Sequence, residues 1–388
     1  MFEWVLLALA VISLLLWTAL ALFQGGFWRV RFPGTCAAPL HWPGVIAVVP
    51  ARDEADMIEA ALEGLLQQDY PALFHVMLVD DHSTDDTALI AAAAANRLGQ
   101  EARLTVVAAR DLPAGWTGKV WAQSEGLAEQ QRRFPEVRYV LLTDADIKHD
   151  RQALRRLVAR AEAEQLVLTS LMVRLRCTSF AERVLIPAFV FFFAMLYPFS
   201  RVNDPRSRVA AAAGGCILAR IDALTKIGGI AAIKDALIDD CALAIKMKRH
   251  GPIRLDFGQH CYSLRPYKDW SSIWNMIARS AYTQLRYSPW LLAGTVSGML
   301  LIYLVPPMLT AGLASGMERP AWLAVSAWLI MILIYAPMLR YYQQSLFWAP
   351  ALPLVALFYL AATLASAWSY RQGRGGQWKG RAQAVRRP

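Results

Sequence analysis

Long parts of this chain lack charge altogether. No Asp, Glu, Lys or Arg occurs from Trp4 to Phe23, from Tyr287 to Met317, from Pro320 to Leu339, or from Tyr341 to Tyr370. Each run is long enough to cross roughly 30 Å of hydrocarbon as a helix. Together with an apolar fraction of 56%, these runs exclude an ordinary soluble protein. Cysteine is also scarce. Cys36, Cys177, Cys216, Cys241 and Cys261 are scattered and form no C-x-x-C pair, which argues against a disulfide framework or a zinc site. Reduced thiols in a cytoplasmic domain are the expectation. The first apolar run has no basic residue before it, only Glu3, and no A-x-A-like site before Arg29. A retained anchor is therefore expected rather than a cleaved signal peptide. Arg29 and Arg31 follow it, and the positive-inside rule puts what comes next in the cytoplasm.

One basic binding stripe is missing too, although the net charge is +10. Arg371, Arg374, Lys379, Arg381, Arg386 and Arg387 sit in the tail, and other bases flank the apolar runs. Contact with anionic lipid headgroups accounts for this pattern better than nucleic acid does. The expected layout is an N-terminal anchor over 1–28, a soluble domain over 40–288, a C-terminal membrane bundle over 289–369 and a basic tail over 370–388.

Within the soluble part, strands alternate with helices. Val45 to Pro50, His75 to Asp80, Leu104 to Ala108 and Tyr139 to Thr143 predict strands. Helices are expected to about Gln68, from a Ser83 or Thr84 cap to about Leu98, and, after a loop carrying Trp116-Thr117-Gly118-Lys119, to about Arg133. Such βαβ units predict an α/β fold with a mostly parallel sheet, in which ligands bind beyond the carboxyl ends of the strands.

Three of these strands end on acidic residues: Asp53 and Glu54, Asp80 and Asp81, Asp144 and Asp146. Acidic residues also follow strands simply as turn formers and helix caps. Three such pairs on one sheet edge favour a shared role, because the charges repel and a divalent cation would relieve them. Mg2+ or Mn2+ in turn favours a diphosphate. At spacing two, Asp144 and Asp146 point to one side if extended geometry continues.

Further on, Val167 to Val173 predicts another strand. Val184 to Phe199 is apolar and aromatic, interrupted by Pro187, and suggests either a core helix or an interfacial one; an interfacial helix near 180–200 is preferred. Ala210 to Arg220 is rich in small residues that admit close backbone approach to a ligand. Asp239 and Asp240 open a helix ending near His250; they either partner its dipole or supply a general base. A second interfacial segment is expected over 269–287. Its Trp270, Trp274, Tyr282 and Tyr287 suit a headgroup interface or a core equally.

At these residues the chain resembles the family 2 glycosyltransferases, with a GT-A fold. The matching parts are Val49-Pro50-Ala51-Arg52-Asp53-Glu54, Val79-Asp80-Asp81 with Ser83 and Asp85, Gly118-Lys119, Asp144-Ala145-Asp146 and Asp239-Asp240. They cover about residues 40 to 290. The stretches WTGKVWA (116–122), LLTDADIKH (141–149), LMVRLRC (171–177), IPAFVFFF (186–193), AAAGGC (211–216), ALIDDCALA (236–244) and RSAYTQLRYSP (279–289) look like the hopanoid-biosynthesis-associated members.

The resemblance implies a membrane-bound enzyme transferring one sugar from a nucleotide-diphosphate sugar, most readily a UDP-sugar, to a lipid. Pro50, Ala51, Arg52, Glu54, Asp80, Asp81, Lys119, Asp144, Asp146 and Arg279 would bind the donor. Asp144 and Asp146 would hold the metal, Asp146 more directly. Asp240 would deprotonate the acceptor. The family usually has Glu-Asp there, so Asp239 shares that candidacy. The Gln-x-x-Arg-Trp motif of processive members is absent: only Arg279, in Met276-Ile277-Ala278-Arg279-Ser280, can stand for its arginine. Two other readings stay open: a polyprenyl-phosphate glycosyltransferase whose acceptor meets Arg201, Arg206 and Arg208, and a non-enzymatic membrane scaffold that keeps the fold. A multi-pass inner-membrane protein is expected. Three C-terminal crossings leave the basic tail outside, against the positive-inside rule, unless one segment is re-entrant. Pro306-Pro307, Pro337, Pro350 and Pro353 admit such a break. The Trp378-Lys379-Gly380-Arg381 stretch resembles tails of related lipid glycosyltransferases and favours the inside.

Overall fold

The computed structural model describes residues 2–311, 313, 318–373, 377–378 and 381–382. The readings placed on Arg374, Lys379, Gly380, Arg386 and Arg387 lie outside the described residues. The chain divides into two compact units. One holds Arg31–Arg176 and Arg201–Pro266; the other holds Met1–Val30, Cys177–Ser200 and Tyr267–Gly375.

The first unit is an eight-stranded sheet flanked by helices. Its strands are β1 (Val45–Ala51), β2 (Phe74–Asp80), β3 (Leu104–Ala108), β4 (Tyr139–Thr143), β5 (Ile147–His149), β6 (Leu168–Arg174), β7 (Cys216–Arg220) and β8 (Ile253–Ser263). Their order is β3-β2-β1-β4-β7-β6-β8-β5. β3, β2, β1 and β4 run parallel, as do β6 and β8, while β7 is antiparallel to both β4 and β6 and β5 is antiparallel to β8.

β1 sits between β2 and β4, and all seven of its residues are buried. That suits VIAVVPA, a continuous apolar run rather than an alternating one, because helices cover both faces. On one face Val45, Ala47 and Val49 pack with Ile58, Leu62 and Leu65 of the helix Ala55–Leu66. On the other lies the helix Gly118–Arg133. A Cβ on Gly126 would meet Val48 Cγ1 at 2.5 Å, so the missing side chain is what lets this helix approach the sheet. The approach matters because Lys119 rides at the helix's N-terminal end.

Two local expectations are corrected. Ser83 and Thr84 do not cap the following helix, which runs Thr87–Arg97 behind Asp86 with no side-chain capping bond. Ser83 Oγ instead donates to Asp80 Oδ1, and Thr84 donates to Asp53 Oδ1 from both N (2.7 Å) and Oγ1 (3.1 Å). Extended geometry also stops before Asp146. β4 ends at Thr143, and a tight turn follows in which Ile147 N donates to Asp144 O (3.2 Å). Asp144 and Asp146 therefore meet different partners.

The second unit is helical. Among the described residues, four helices are long and apolar enough to cross a membrane: Glu3–Phe23, Pro289–Thr310, Glu318–Tyr341 and Leu346–Arg371. They coincide with the four charge-free runs. The second widens into a π-helical turn at Leu300–Leu304, just ahead of Pro306 and Pro307. Pro306 has no N–H to donate to the Ile302 carbonyl four residues back. The Trp17 indole supplies that bond, Nε1 to Ile302 O at 2.6 Å, and its ring meets Tyr303 edge-on at 5.3 Å.

The helix Phe180–Leu196 starts at a capping box between Ser179 and Glu182. Its Leu185, Ile186, Val190 and Phe191 are buried, with Phe191 against Tyr335 and Phe192 against Tyr359. The helix Trp270–Gln284 packs Trp270 and Trp274 against Phe358, and Tyr282 against Tyr370.

Candidate active site

Three loops at the carboxyl ends of β1, β2 and β4 meet the N-terminal end of the helix Asp239–Met247 and the stretch after β8. Each loop is tied to its neighbour. Asp81 N donates to Ala51 O (2.8 Å), extending the β1–β2 ladder past the strand ends. Asp53 adopts a left-handed backbone (φ 52°), its N–H donating to Ser83 Oγ (3.1 Å). Glu54 N donates to Thr87 Oγ1 at 2.8 Å. Positive φ in a non-glycine residue is uncommon and persists where surrounding bonds hold it.

Arg52 and Asp81 pair at the β2 end, with Arg52 Nη1 3.8 Å from Asp81 Oδ2 and also donating to the Asp81 carbonyl. Asp81 is fully buried, and His82 Nδ1 lies 3.4 Å from its Oδ1. Pro50 and Ala51 form the last residues of β1. Asp80 is occupied by Ser83, which donates from both N (3.3 Å) and Oγ.

The centre of the cluster is Lys119. Its ammonium stands 2.8 Å from Asp144 Oδ1 and 3.4 Å from Asp239 Oδ2. Burial alone would lower this lysine's pKa, but Asp144 and Asp239 outweigh it and hold the ammonium above its ordinary value. Burial raises the Asp144 carboxyl; Lys119 pulls the other way, and Asp146 adds to the rise. Asp240 lies alongside. Its Oδ2 accepts from Gly214 N (2.9 Å) and its Oδ1 from Cys241 N (2.7 Å). Burial first, then Asp239, push its carboxyl up to about 6, against Lys119 and the two backbone N–H groups. A Cβ on Gly214 would stand 3.1 Å from Lys119 Nζ and 3.4 Å from Asp240 Oδ2, so the missing side chain leaves room for both groups.

Asp146 faces a different partner. Arg265 Nε donates to its Oδ2 (2.9 Å), Ser263 Oγ to the same oxygen (3.1 Å), and Arg265 Nη2 to Glu54 Oε1 (2.7 Å). Sequence reasoning missed both Arg265 and Ser263, because it missed β8. The signal was present: Ile253, Leu255 and Phe257 are buried and alternate with Arg254 and Asp256. Of the residues expected at the site, Glu54, Lys119, Asp144, Asp146, Asp239 and Asp240 are brought together through Lys119 and Arg265. Arg52 and Asp81 form a second pair beside Ala51. Arg279 stands on the helix Trp270–Gln284 of the helical unit.

Glu54, Asp144, Asp146, Asp239 and Asp240 face Lys119 and Arg265, five carboxylates against two cations. That surplus of hard, anionic oxygen fits magnesium or manganese. Among the described residues no group of three or more His, Cys, Asp or Glu side chains closes a metal site by itself.

A family model described as Glycosyl transferase family 2 matches residues 46–228. No curated protein matches the chain in sequence. Among solved structures, a mannosyltransferase from Pyrobaculum calidifontis, PcManGT, in complex with GDP-Man and Mn2+, is 18% identical. Its TM-score is 0.58, with 94% of this chain and 99% of that one covered. Glucosyl-3-phosphoglycerate synthase from Mycobacterium tuberculosis, with Mg2+ and uridine diphosphate, is 19% identical over 63% of this chain and 79% of that one, at a TM-score of 0.41. The S. aureus TarS 1–349 structure with UDP-GlcNAc is 14% identical over 87% and 95%, at 0.40. Residues 46–228 are thus similar to a glycosyltransferase family 2 domain, and the α/β sheet is of GT-A type.

Proposed function

We propose that the protein is a membrane-bound, inverting glycosyltransferase that moves one sugar from a nucleotide-diphosphate sugar to a lipid hydroxyl. One observation carries the reading. Lys119 bridges Asp144 behind β4 to Asp239 at a helix start, with Asp240 anchored beside them by backbone N–H groups. The family match over residues 46–228 supports the class of reaction. The mannosyltransferase of like fold, bound to GDP-Man and Mn2+, supports the class of donor.

In this reading Asp80, Asp81 and Arg52 with Pro50 and Ala51 hold the nucleoside end, and Lys119 holds phosphate oxygens. Asp146 and Asp144 hold Mg2+ or Mn2+. When bound, the cation offsets the charge that grows on the leaving diphosphate. Asp240 accepts the proton of the acceptor hydroxyl, with Asp239 and Lys119 fixing the local charge. The acceptor oxygen bonds to the anomeric carbon from the face opposite the diphosphate, the carbon–oxygen bond to the diphosphate breaks, and the centre inverts. A carboxyl poised near 6 is ionised at neutral pH yet still basic enough to take that proton.

The donor proposed is a UDP-sugar and the acceptor a hopanoid-related lipid. The apolar helices support placement in a membrane, proposed to be the inner one, and Arg29 and Arg31 after the first apolar run support a cytoplasmic sheet domain. The test is a transfer assay on detergent-solubilised protein with radiolabelled UDP- and GDP-sugars, Mn2+, and hopanoid or polyprenyl-phosphate acceptors. Labelled hopanoid supports the reading, and labelled polyprenyl phosphate alone overturns the acceptor. Folded Asp146→Ala and Asp240→Asn variants that transfer at the normal rate overturn the mechanism.

A further inference from the structure

Asp146 is gripped from one side. Among the described residues, both hydrogen bonds to its carboxylate arrive at Oδ2, from Ser263 Oγ (3.1 Å) and Arg265 Nε (2.9 Å). Its carbonyl accepts a third from the same segment, Leu264 N at 2.7 Å. The guanidinium then reaches on to Glu54 Oε1 at 2.7 Å. One arginine thus joins carboxylates 119 and 211 residues away in sequence. The Asp146 and Glu54 side chains are only 8% and 6% exposed, so the fork works in a low-dielectric setting where charge counts heavily. Oδ1 of Asp146 is left as the oxygen a ligand can use.

We propose that Arg265 is a positioning residue. It presents Asp146 to a divalent cation through Oδ1 alone, and it makes cation binding depend on the diphosphate. A bare cation on Oδ1 stands beside the guanidinium charge and is repelled by it. A nucleotide diphosphate brings the negative charge that offsets both. Cation and nucleotide are thereby coupled, each tightening the other by the same factor. The inference rests on the nucleotide-sugar reading above and adds a role that the sequence pattern did not assign.

The experiment titrates Mn2+ into full-length, detergent-solubilised protein, following free Mn2+ by electron paramagnetic resonance, with and without UDP and, in a parallel arm, GDP. In the unaltered protein the favoured nucleotide tightens Mn2+ by about tenfold or more. Arg265→Gln binds Mn2+ alone about threefold tighter or better, and the nucleotide then tightens it by less than about threefold. Arg265→Lys keeps the charge and retains most of the coupling. A merely structural role would weaken both affinities, so the opposite sign for bare Mn2+ is the discriminating result. The proposal is overturned if Arg265→Gln binds bare Mn2+ no tighter than the parent, if its coupling is unchanged, or if Arg265→Lys loses the coupling. Should the parent bind no Mn2+ in either arm, the nucleotide-sugar reading fails instead.

Discussion

Asp240 carries the sharpest consequences at the scale of single residues. Its carboxyl is pushed up to about 6 by burial and by Asp239, so the base is lost as pH falls through that value. The log of kcat/KM should therefore climb with a slope near one up to about pH 6 and level off above it. A pH–rate profile without an ascending limb near 6 would count against Asp240 as base. Stability runs the other way. Between the ordinary carboxyl value and 6, the folded state holds a proton that the unfolded chain has released, so stability falls as pH rises through that window. Asp240→Asn should accordingly raise thermal stability at pH 7, by on the order of 1–2 kcal/mol after solvent screening, while abolishing transfer. Differential scanning calorimetry beside the activity assay checks both. Gly214→Ala should cut kcat at least about tenfold, because its Cβ would crowd Lys119 Nζ and Asp240 Oδ2. The acidic residues of this site were legible in the sequence because each follows a strand or opens a helix. Arg265 and Ser263 were not. Their meaning comes from contacts with Asp146, more than a hundred residues away, that no local pattern encodes.

Among elements, the helix Gly118–Arg133 links packing to chemistry. Gly126 lets it lie close on β1, and its N-terminal end delivers Lys119 to Asp144. Gly126→Ala should cost about 1–3 kcal/mol in chemical denaturation, as overpacking against Val48 does, and should lower activity with it. Partial restoration of both by a second change, Val48→Ala, is the expected outcome, since Val79 Cγ2 would still stand 2.9 Å from the new Cβ; an unaffected Gly126→Ala protein would contradict close packing at this point. In the helical unit, Trp17→Phe strips the Ile302 carbonyl of its donor where Pro306 cannot supply one. A loss of about 1–3 kcal/mol is expected, read as a lowered Tm. The strands that lie buried on both faces announced themselves as continuous apolar runs, β1 most clearly. β8 was passed over because its apolar alternation fades into Gly258, Gln259 and His260. The start of the helix Thr87–Arg97 was misplaced for a related reason. Ser83 and Thr84 have the right chemistry for caps, but Asp80 and Asp53 claim them.

At the level of the whole molecule, charge-free length and mixed α/β pattern are separate signals, and neither marked Cys177–Ser200 or the stretch from Tyr267 to Ser288 as part of the helical unit. Among the described residues, each of the four apolar runs overlaps one long apolar helix. The order of the sheet was beyond reach from sequence. β7 enters antiparallel between β4 and β6, a choice made by packing rather than by periodicity. If the helices serve as proposed, the protein should stay with the membrane fraction after high-salt and alkaline washing and be released only by detergent.

Carboxylates from remote parts of the chain are proposed to act together on one activated sugar. Hydrolysis or transfer of a radiolabelled UDP-sugar by the detergent-solubilised protein tests it most directly, in Mn2+ and again after chelation. The account predicts metal-dependent release of UDP that falls by a factor of about a hundred or more in folded Asp146→Ala and Asp240→Asn proteins. Release that is indifferent to the cation and to both substitutions would contradict it.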